Sequence, residues 1–155
     1  MKAEVVNKIL ASTTSVLTEY FNITLEQNGA PVTVNDTEAL DAVTVILGIT
    51  GDLEGQFLLG YNNTTALNIA RVMLGNPDYP ELDEMGKSAL SELGNMIGGL
   101  TSTGLSDLGF FCNLSPPTLV TTSAGTICTG TPVMIALPIS SSAGDFRVCV
   151  GLREN

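Results

Sequence analysis

Ser88-Ala89-Leu90-Ser91-Glu92-Leu93-Gly94-Asn95-Met96-Ile97-Gly98-Gly99 is the stretch around which the whole sequence is organised. A helix over this stretch turns by about 100° per residue and so separates two faces. One face collects the polar and small residues Ser88, Glu92, Asn95 and Gly99, and the other collects Leu90, Leu93, Ile97 and Leu100. The sequence therefore predicts a carboxylate and a carboxamide, one helical turn apart, pointing away from the packed side of a helix.

The length and the cysteines predict one domain that needs no covalent or metal support. A chain of 155 residues can bury a sufficient core, so we expect a single domain over residues 1–155. Cys112, Cys128 and Cys149 are odd in number and show no Cys-x-x-Cys spacing. We interpret them as small buried hydrophobic residues and expect no disulfide framework and no metal site.

Histidine is absent from the chain, and this limits the chemistry more than any other feature of composition. Without histidine there is no Ser-His-Asp or Cys-His catalysis and no histidine metal site. Any reaction must use carboxylates, amides, hydroxyls, lysines or groups that a partner supplies. We expect no cofactor bound by the chain itself.

The formal charge of −10 argues against two classes of partner. Nucleic acid and anionic lipid both require a cationic surface, so neither is an expected partner. No apolar run approaches the roughly 20 residues that span a bilayer, and the N-terminus lacks the layout of a secretory signal. The sequence predicts a cytoplasmic protein that does not enter a membrane.

Hydrophobic periodicity predicts a mixed α/β fold of the α+β kind. Steps of three and four predict a helix over residues 2–21, another from Asn62-Asn63 to Leu74, and the helix that follows Pro80. Steps of two predict extended segments over residues 31–34, 42–50, 56–61, 118–122, 132–139 and 145–152. Gly51-Asp52 and residues 140–144 supply the turns of two hairpins, and Pro138 predicts an edge strand or a strand end.

The order of these elements repeats, which suggests a weak internal duplication. Glu4-Val5-Val6-Asn7 echoes Glu92-Leu93-Gly94-Asn95 at the start of the first half. In the first half 23 residues separate Asn7 from Pro31, whereas 21 separate Asn95 from Pro117. We interpret Glu4 and Asn7 as an ordinary polar helix start, with a vestigial second site as the alternative.

A family resemblance rests on the spacing Ser88, three residues, Glu92, two residues, Asn95, twenty-one residues, Pro117. This pattern resembles the signature of the CheC/CheX/FliY family of response-regulator phosphatases. Residues 91–96, 115–120 and 48–55 also resemble its single-site CheX branch. The resemblance extends over nearly the whole chain and implies a CheC-like fold, a mostly antiparallel sheet packed by two long helices.

The same resemblance implies a reaction and a set of roles. The substrate would be the phospho-aspartate of a CheY-like response regulator, which also supplies Mg²⁺ and a lysine. Asn95 would position the attacking water, because a carboxamide both accepts and donates hydrogen bonds. Glu92 would accept from the regulator's lysine, while Ser88 and Pro117 would support the site.

Two other functions stay open at this point. The chain could be a non-catalytic module that binds a receiver domain, or a structural subunit of the flagellar switch. A homodimer is expected from the resemblance and from strand edges that could pair between subunits.

Overall fold

The computed structural model describes residues 3–34, 37–39, 41–122, 125–128 and 134–155, which form three helices and ten strands. The first half contains α1 (Ala3–Phe21), β1 (Leu25–Gln27), β2 (Val32–Val34), β3 (Thr37–Ala39), β4 (Val43–Gly51) and β5 (Leu53–Tyr61). The second half contains α2 (Asn63–Met73), α3 (Glu84–Asp107), β6 (Cys112–Leu114), β7 (Thr118–Thr121), β8 (Thr126–Cys128), β9 (Met134–Ser141) and β10 (Phe146–Glu154). The predicted helices and hairpins are confirmed, while Lys2 and residues 132–133 of two predicted elements lie outside the described residues.

Eight of the described strands form one sheet, and every pairing in it is antiparallel. Its order is β1-β9-β10-β5-β4-β6, with β2 also paired to β9 and β7 also paired to β4. The strands β3 and β8 pair separately. The predicted α+β fold, a mostly antiparallel sheet packed by two long helices, is confirmed.

The pairings confirm the internal duplication. Two short strands of the first half, β1 and β2, pair with β9 of the second half, and two short strands of the second half, β6 and β7, pair with β4 of the first half. The long strands β5 and β10 pair with each other at the centre, where Phe57 lies opposite Val150. Each strand of the first half therefore has a counterpart five strands later.

One face of the sheet and the helices enclose the main core. Val45, Leu47 and Phe57, inward residues of β4 and β5, are at most 1% exposed. They meet Ile9 and Leu17 of α1, and Leu90, Leu93 and Ile97 of α3, in one apolar cluster. In the described ranges no helix is long and apolar enough to cross a bilayer.

The expectation for Pro138 is wrong, and the reason is local. Its strand β9 continues to Ser141 and has β10 on one side and β1 and β2 on the other. However, β1 ends at Gln27 opposite Ile139 and β2 begins opposite Ala136, so Pro138 faces the gap between them. Its carbonyl accepts from the Asn28 N–H at 2.8 Å. Because N–H and C=O of a strand residue point to the same side, the missing proline donor falls at this gap.

Asp83 defines where α3 begins. Its carboxylate accepts from the Gly86 N–H at 3.0 Å and from the Tyr79 hydroxyl. The Tyr79 hydroxyl first, and the Gly86 N–H after it, lower the pKa of Asp83 below its ordinary value. A negative charge here also suits the positive end of the helix dipole.

We predict that Asp83→Ala lowers the melting temperature at pH 7, because α3 loses its N-terminal cap. A carboxylate whose pKa is lowered by folding stabilises the folded state at pH values above its unfolded pKa of about 3.9. This stabilisation is lost as the pH falls through the folded pKa. The difference between wild type and variant should therefore shrink on acidification, as measured by thermal melts at pH 7 and between pH 5 and 2.

Asp107→Ala is the matched control, since Asp107 is the last residue of α3. A negative charge at that end opposes the helix dipole, so its removal should not lower the melting temperature. Equal losses in the two variants would contradict the capping role.

Candidate active site

The face of α3 that the sequence predicts to be polar is exposed in the structure. Ser88, Glu92, Asn95 and Gly99 are exposed along one side of the helix. Leu90, Leu93 and Ile97 are fully buried on the other, whereas Leu100 is 40% exposed and departs from the predicted apolar face. The helix is thus packed on one side and exposes Glu92 and Asn95 on the other.

Glycines bring this helix close to the sheet. A Cβ added at Gly94 would lie 2.8 Å from Cγ1 of Val45, and one at Gly98 would lie 2.8 Å from Cδ2 of Leu47. Real Cβ atoms do not approach so closely, so only glycine allows α3 to sit on β4 at this distance. Gly99 differs, because a Cβ there would meet nothing within 4 Å.

The edge of the sheet beneath α3 is interrupted at Ser115-Pro116-Pro117. The strands β6 and β7 both pair with β4, and these three residues lie between them. Ser115 fixes the interruption, because its N–H donates to the Gly48 carbonyl at 2.9 Å and its Oγ accepts from the Gly48 N–H at 2.8 Å. Pro117 immediately precedes β7, as predicted, and its Cβ lies 3.6 Å from a Cβ built at Gly94.

An open groove of about 1030 Å³ runs between α3 and this interrupted edge. It brings together four predicted site residues, Ser88, Glu92, Asn95 and Pro117. The other lining residues are Leu47, Glu84, Lys87, Ser91, Gly98, Gly99, Ser102, Leu114, Ser115, Pro116, Leu119 and Thr121. The signature residues therefore lie on two walls of one cleft, three of them on α3 and Pro117 on the sheet edge.

Glu4 and Asn7 do not join this groove. Both are exposed on α1, as the echo of the motif predicts, but neither lines the cleft. The positions that correspond to Gly94 and Gly98, 88 residues earlier, are Val6 and Leu10. Val6 is buried and Leu10 packs against the core, so these side chains occupy the space that glycine leaves free in α3.

The side chains of Glu92 and Asn95 have no hydrogen bond or ion pair to another described residue. The groove's lysine, Lys87, is 31% exposed and pairs only loosely with the largely exposed Glu84, at 3.4 Å. Within the described part of the chain, no three acidic or cysteine side chains are grouped to hold a metal ion. The two signature groups are therefore held in place by their helix and remain available to a partner.

Sequence reasoning missed two features of the cleft. The sequence pattern does not single out Lys87, although it lies one residue before Ser88 and contributes the positive charge of the groove. The Ser115 hydroxyl was seen only as part of a motif, while its bonds to Gly48 depend on a pairing between strands 67 residues apart. A serine directly before two prolines is the signal that could have suggested an anchored interruption.

Comparison with known proteins decides the family. The family described as Chemotaxis phosphatase CheX matches residues 43–140 of this sequence. The chain belongs to the CheX family. It is 34% identical over 120 residues to a Thermotoga maritima protein named CheY-P phosphatase CheX, covering 77% of each chain.

Solved structures agree with this assignment. The chemotaxis protein CheX from Vibrio vulnificus superposes with a TM-score of 0.85 and 27% identity, over 97% of this chain and 100% of that chain. A CheX in complex with CheY, BeF₃ and Mg²⁺ from Borrelia burgdorferi gives a TM-score of 0.77 at 23% identity, over 99% of this chain and 100% of that one. At that lower identity the likeness concerns the fold alone.

We predict that Gly94→Val lowers the free energy of unfolding by about 1–3 kcal/mol, because its side chain would overlap Val45 and push α3 off the sheet. Chemical denaturation followed by circular dichroism measures this loss. Gly94→Val should lower the free energy of unfolding by less when Val45→Ala is already present. A double-mutant cycle detects this difference.

The same substitution at Gly99 is the matched control for the packing argument. A Cβ there would have no atom of another element within 4 Å, so Gly99→Val should leave stability unchanged or raise it. If Gly94→Val were as stable as wild type, α3 would not depend on this close contact.

Proposed function

We propose that this chain is a phosphatase that hydrolyses the phospho-aspartate of a CheY-like response regulator. The observation that carries the proposal is the pair Glu92 and Asn95, whose side chains have no partner among the described residues, on the wall of an open groove in a chain of the CheX family. The Thermotoga relative is named for this activity, and the Borrelia protein was solved bound to CheY.

Asn95 positions the attacking water. Phosphoryl transfer requires little covalent chemistry from the protein, but it requires a nucleophile held in line with the leaving group. The amide oxygen of Asn95 accepts a hydrogen bond from water while its N–H₂ donates, and the group stays neutral at physiological pH. A rigid helix supplies the accurate placement on which this role depends.

Glu92 orients the receiver. An exposed carboxylate is too weak a base to deprotonate water, so its use lies in binding. It accepts a charge-assisted hydrogen bond from the receiver's lysine. The Cβ atoms of Glu92 and Asn95, one helical turn apart, are about 5–6 Å from each other. The receiver itself provides the lysine and Mg²⁺, which offset charge on the transferring oxygens.

The cleft is an incomplete active site, which suits a protein substrate. Its walls are an exposed helix face and the proline interruption, and it is open along its length. A small free ligand would remain largely solvated there, whereas a receiver domain can insert its phosphorylated edge. A short-range fit is also required, because the formal charge of −10 attracts over long range only a basic partner.

We predict that Asn95→Ala lowers the maximal rate of receiver dephosphorylation by about 100-fold or more, because the water loses its positioning group. Glu92→Ala should act mainly on KM, raising it by about 10- to 100-fold, since one hydrogen bond between charged groups is lost. Loss of radioactive phosphate from a labelled receiver measures both constants.

The double variant Glu4→Ala/Asn7→Ala is the matched control, since the same two residue types are removed from the exposed face of α1. It should retain wild-type kinetics. A wild-type chain that binds the receiver without shortening its phosphate lifetime would instead make this protein a non-catalytic receiver-binding module.

A homodimer and a cytoplasmic location are further parts of the proposal. The sheet ends in the short strands β1 and β2 on one side and β6 and β7 on the other, and such edges can pair between subunits. We expect sedimentation at micromolar concentration to give twice the chain mass. A monomer alone under those conditions would remove the dimer and leave the chemistry of the groove unaffected.

A further inference from the structure

Gly99 is a glycine within an exposed helix face, and no described residue of another element lies within 4 Å of the place where its Cβ would be. It lies in α3, which continues without interruption to Asp107, and its φ is not among the positive ones. Glycine is one of the least favourable residues in a helix interior, because it gives up the most conformational freedom. Its presence here calls for a reason outside the backbone.

Packing within the chain does not supply that reason. Gly94 and Gly98 face atoms of Val45 and Leu47 at 2.8 Å, whereas a Cβ at Gly99 would point into open space. Two neighbouring side chains are also held back against main-chain carbonyls. The Thr103 hydroxyl, one turn later, turns back onto the Gly99 carbonyl at 3.3 Å, and the Ser102 hydroxyl turns toward the Cys112 carbonyl at 3.3 Å.

The position of Gly99 relative to Asn95 suggests what the space is for. The two residues are four apart on the same helix face and both line the groove. A side chain at Gly99 would stand beside the Asn95 amide, within about 5–6 Å at its Cβ. A partner that reaches Asn95 along this side of the groove therefore passes over Gly99.

We propose that Gly99 is a clearance position, where the backbone of the bound receiver domain lies directly against α3. This inference rests on the proposed function and adds a specificity-determining residue to it. Glycine allows a partner's main chain to approach more closely than any side chain would permit. Gly99 thereby sets how closely the receiver can approach α3, and with it the affinity of the complex in which Asn95 acts.

The test is a series of increasing side-chain volume, Gly99→Ala, Gly99→Val and Gly99→Leu. Clearance predicts that KM for the phosphorylated receiver rises with volume, about 10-fold for Ala and about 100-fold or more for Leu. The value of kcat should change far less than in Asn95→Ala. The melting temperature of Gly99→Ala should rise by about 2–4 °C, since alanine favours the helix.

Gly104→Ala is the matched control. Gly104 belongs to the same helix but is not among the residues that line the groove, and its added Cβ would meet the Lys8 side chain, at 3.2 Å from its Cδ. This variant should keep the wild-type KM. If helix flexibility were the purpose of Gly99, alanine would already give the full loss and larger side chains would add nothing, which would overturn the clearance role.

Binding to a receiver loaded with beryllofluoride and Mg²⁺, measured by calorimetry, separates this inference from the proposed function. Wild-type turnover together with wild-type KM throughout the Gly99 series would remove the clearance role and leave the phosphatase intact. A wild-type chain that binds the receiver without turnover would remove the phosphatase, and the weakening of binding along the series would still support clearance. Absence of receiver binding by wild type would remove both.

Discussion

The close contact between α3 and β4 is the constraint on which the rest of the structure depends. Gly94 and Gly98 leave no side chain between the helix and the strand, so Val45 and Leu47 pack directly against helix backbone. Leu90, Leu93 and Ile97 then complete the core on the same side. This packing fixes the rotation of α3 and, with it, the direction in which Glu92 and Asn95 project. A positioning mechanism requires that accuracy, because no strong base or covalent nucleophile compensates for a misplaced water.

The edge of the sheet is arranged to receive the helix at that distance. A continuous edge strand would fill the space beside Gly94, but Ser115-Pro116-Pro117 divides it into β6 and β7. The Ser115 hydroxyl satisfies the Gly48 N–H, which the interruption would otherwise leave without a strand partner. At the corresponding place beside β1 and β2, Pro138 of β9 has no N–H to satisfy. The duplicated sheet thus solves the same backbone problem in two ways, and the solution with serine lies beside the cleft.

Sequence reasoning reached the fold and part of the site because these depend on local patterns. The steps of three and four in α1 and α3, and the steps of two in β4, β5 and β10, follow directly from which side of each element is buried. The place of Pro138 and the anchoring by Ser115 could not be predicted, since both depend on which short strand stops beside which long one. For a related reason, the sequence alone does not distinguish the roles of Gly94, Gly98 and Gly99 in α3. Sequence places all three near the signature, but only the positions of Val45 and Leu47 distinguish Gly94 and Gly98, which pack, from Gly99, which does not.

The duplication explains why an echo of the signature does not make a second site. Glu4 and Asn7 reproduce the polar pair on α1, yet Val6 and Leu10 stand where α3 has Gly94 and Gly98. Those larger side chains pack into the core, whereas α3 meets β4 through the bare backbone of Gly94 and Gly98. Two polar residues at the correct helical spacing are therefore insufficient. The site requires, in addition, small residues on the adjacent face of the helix that bring the pair against a second wall, and only the second half of this chain has both.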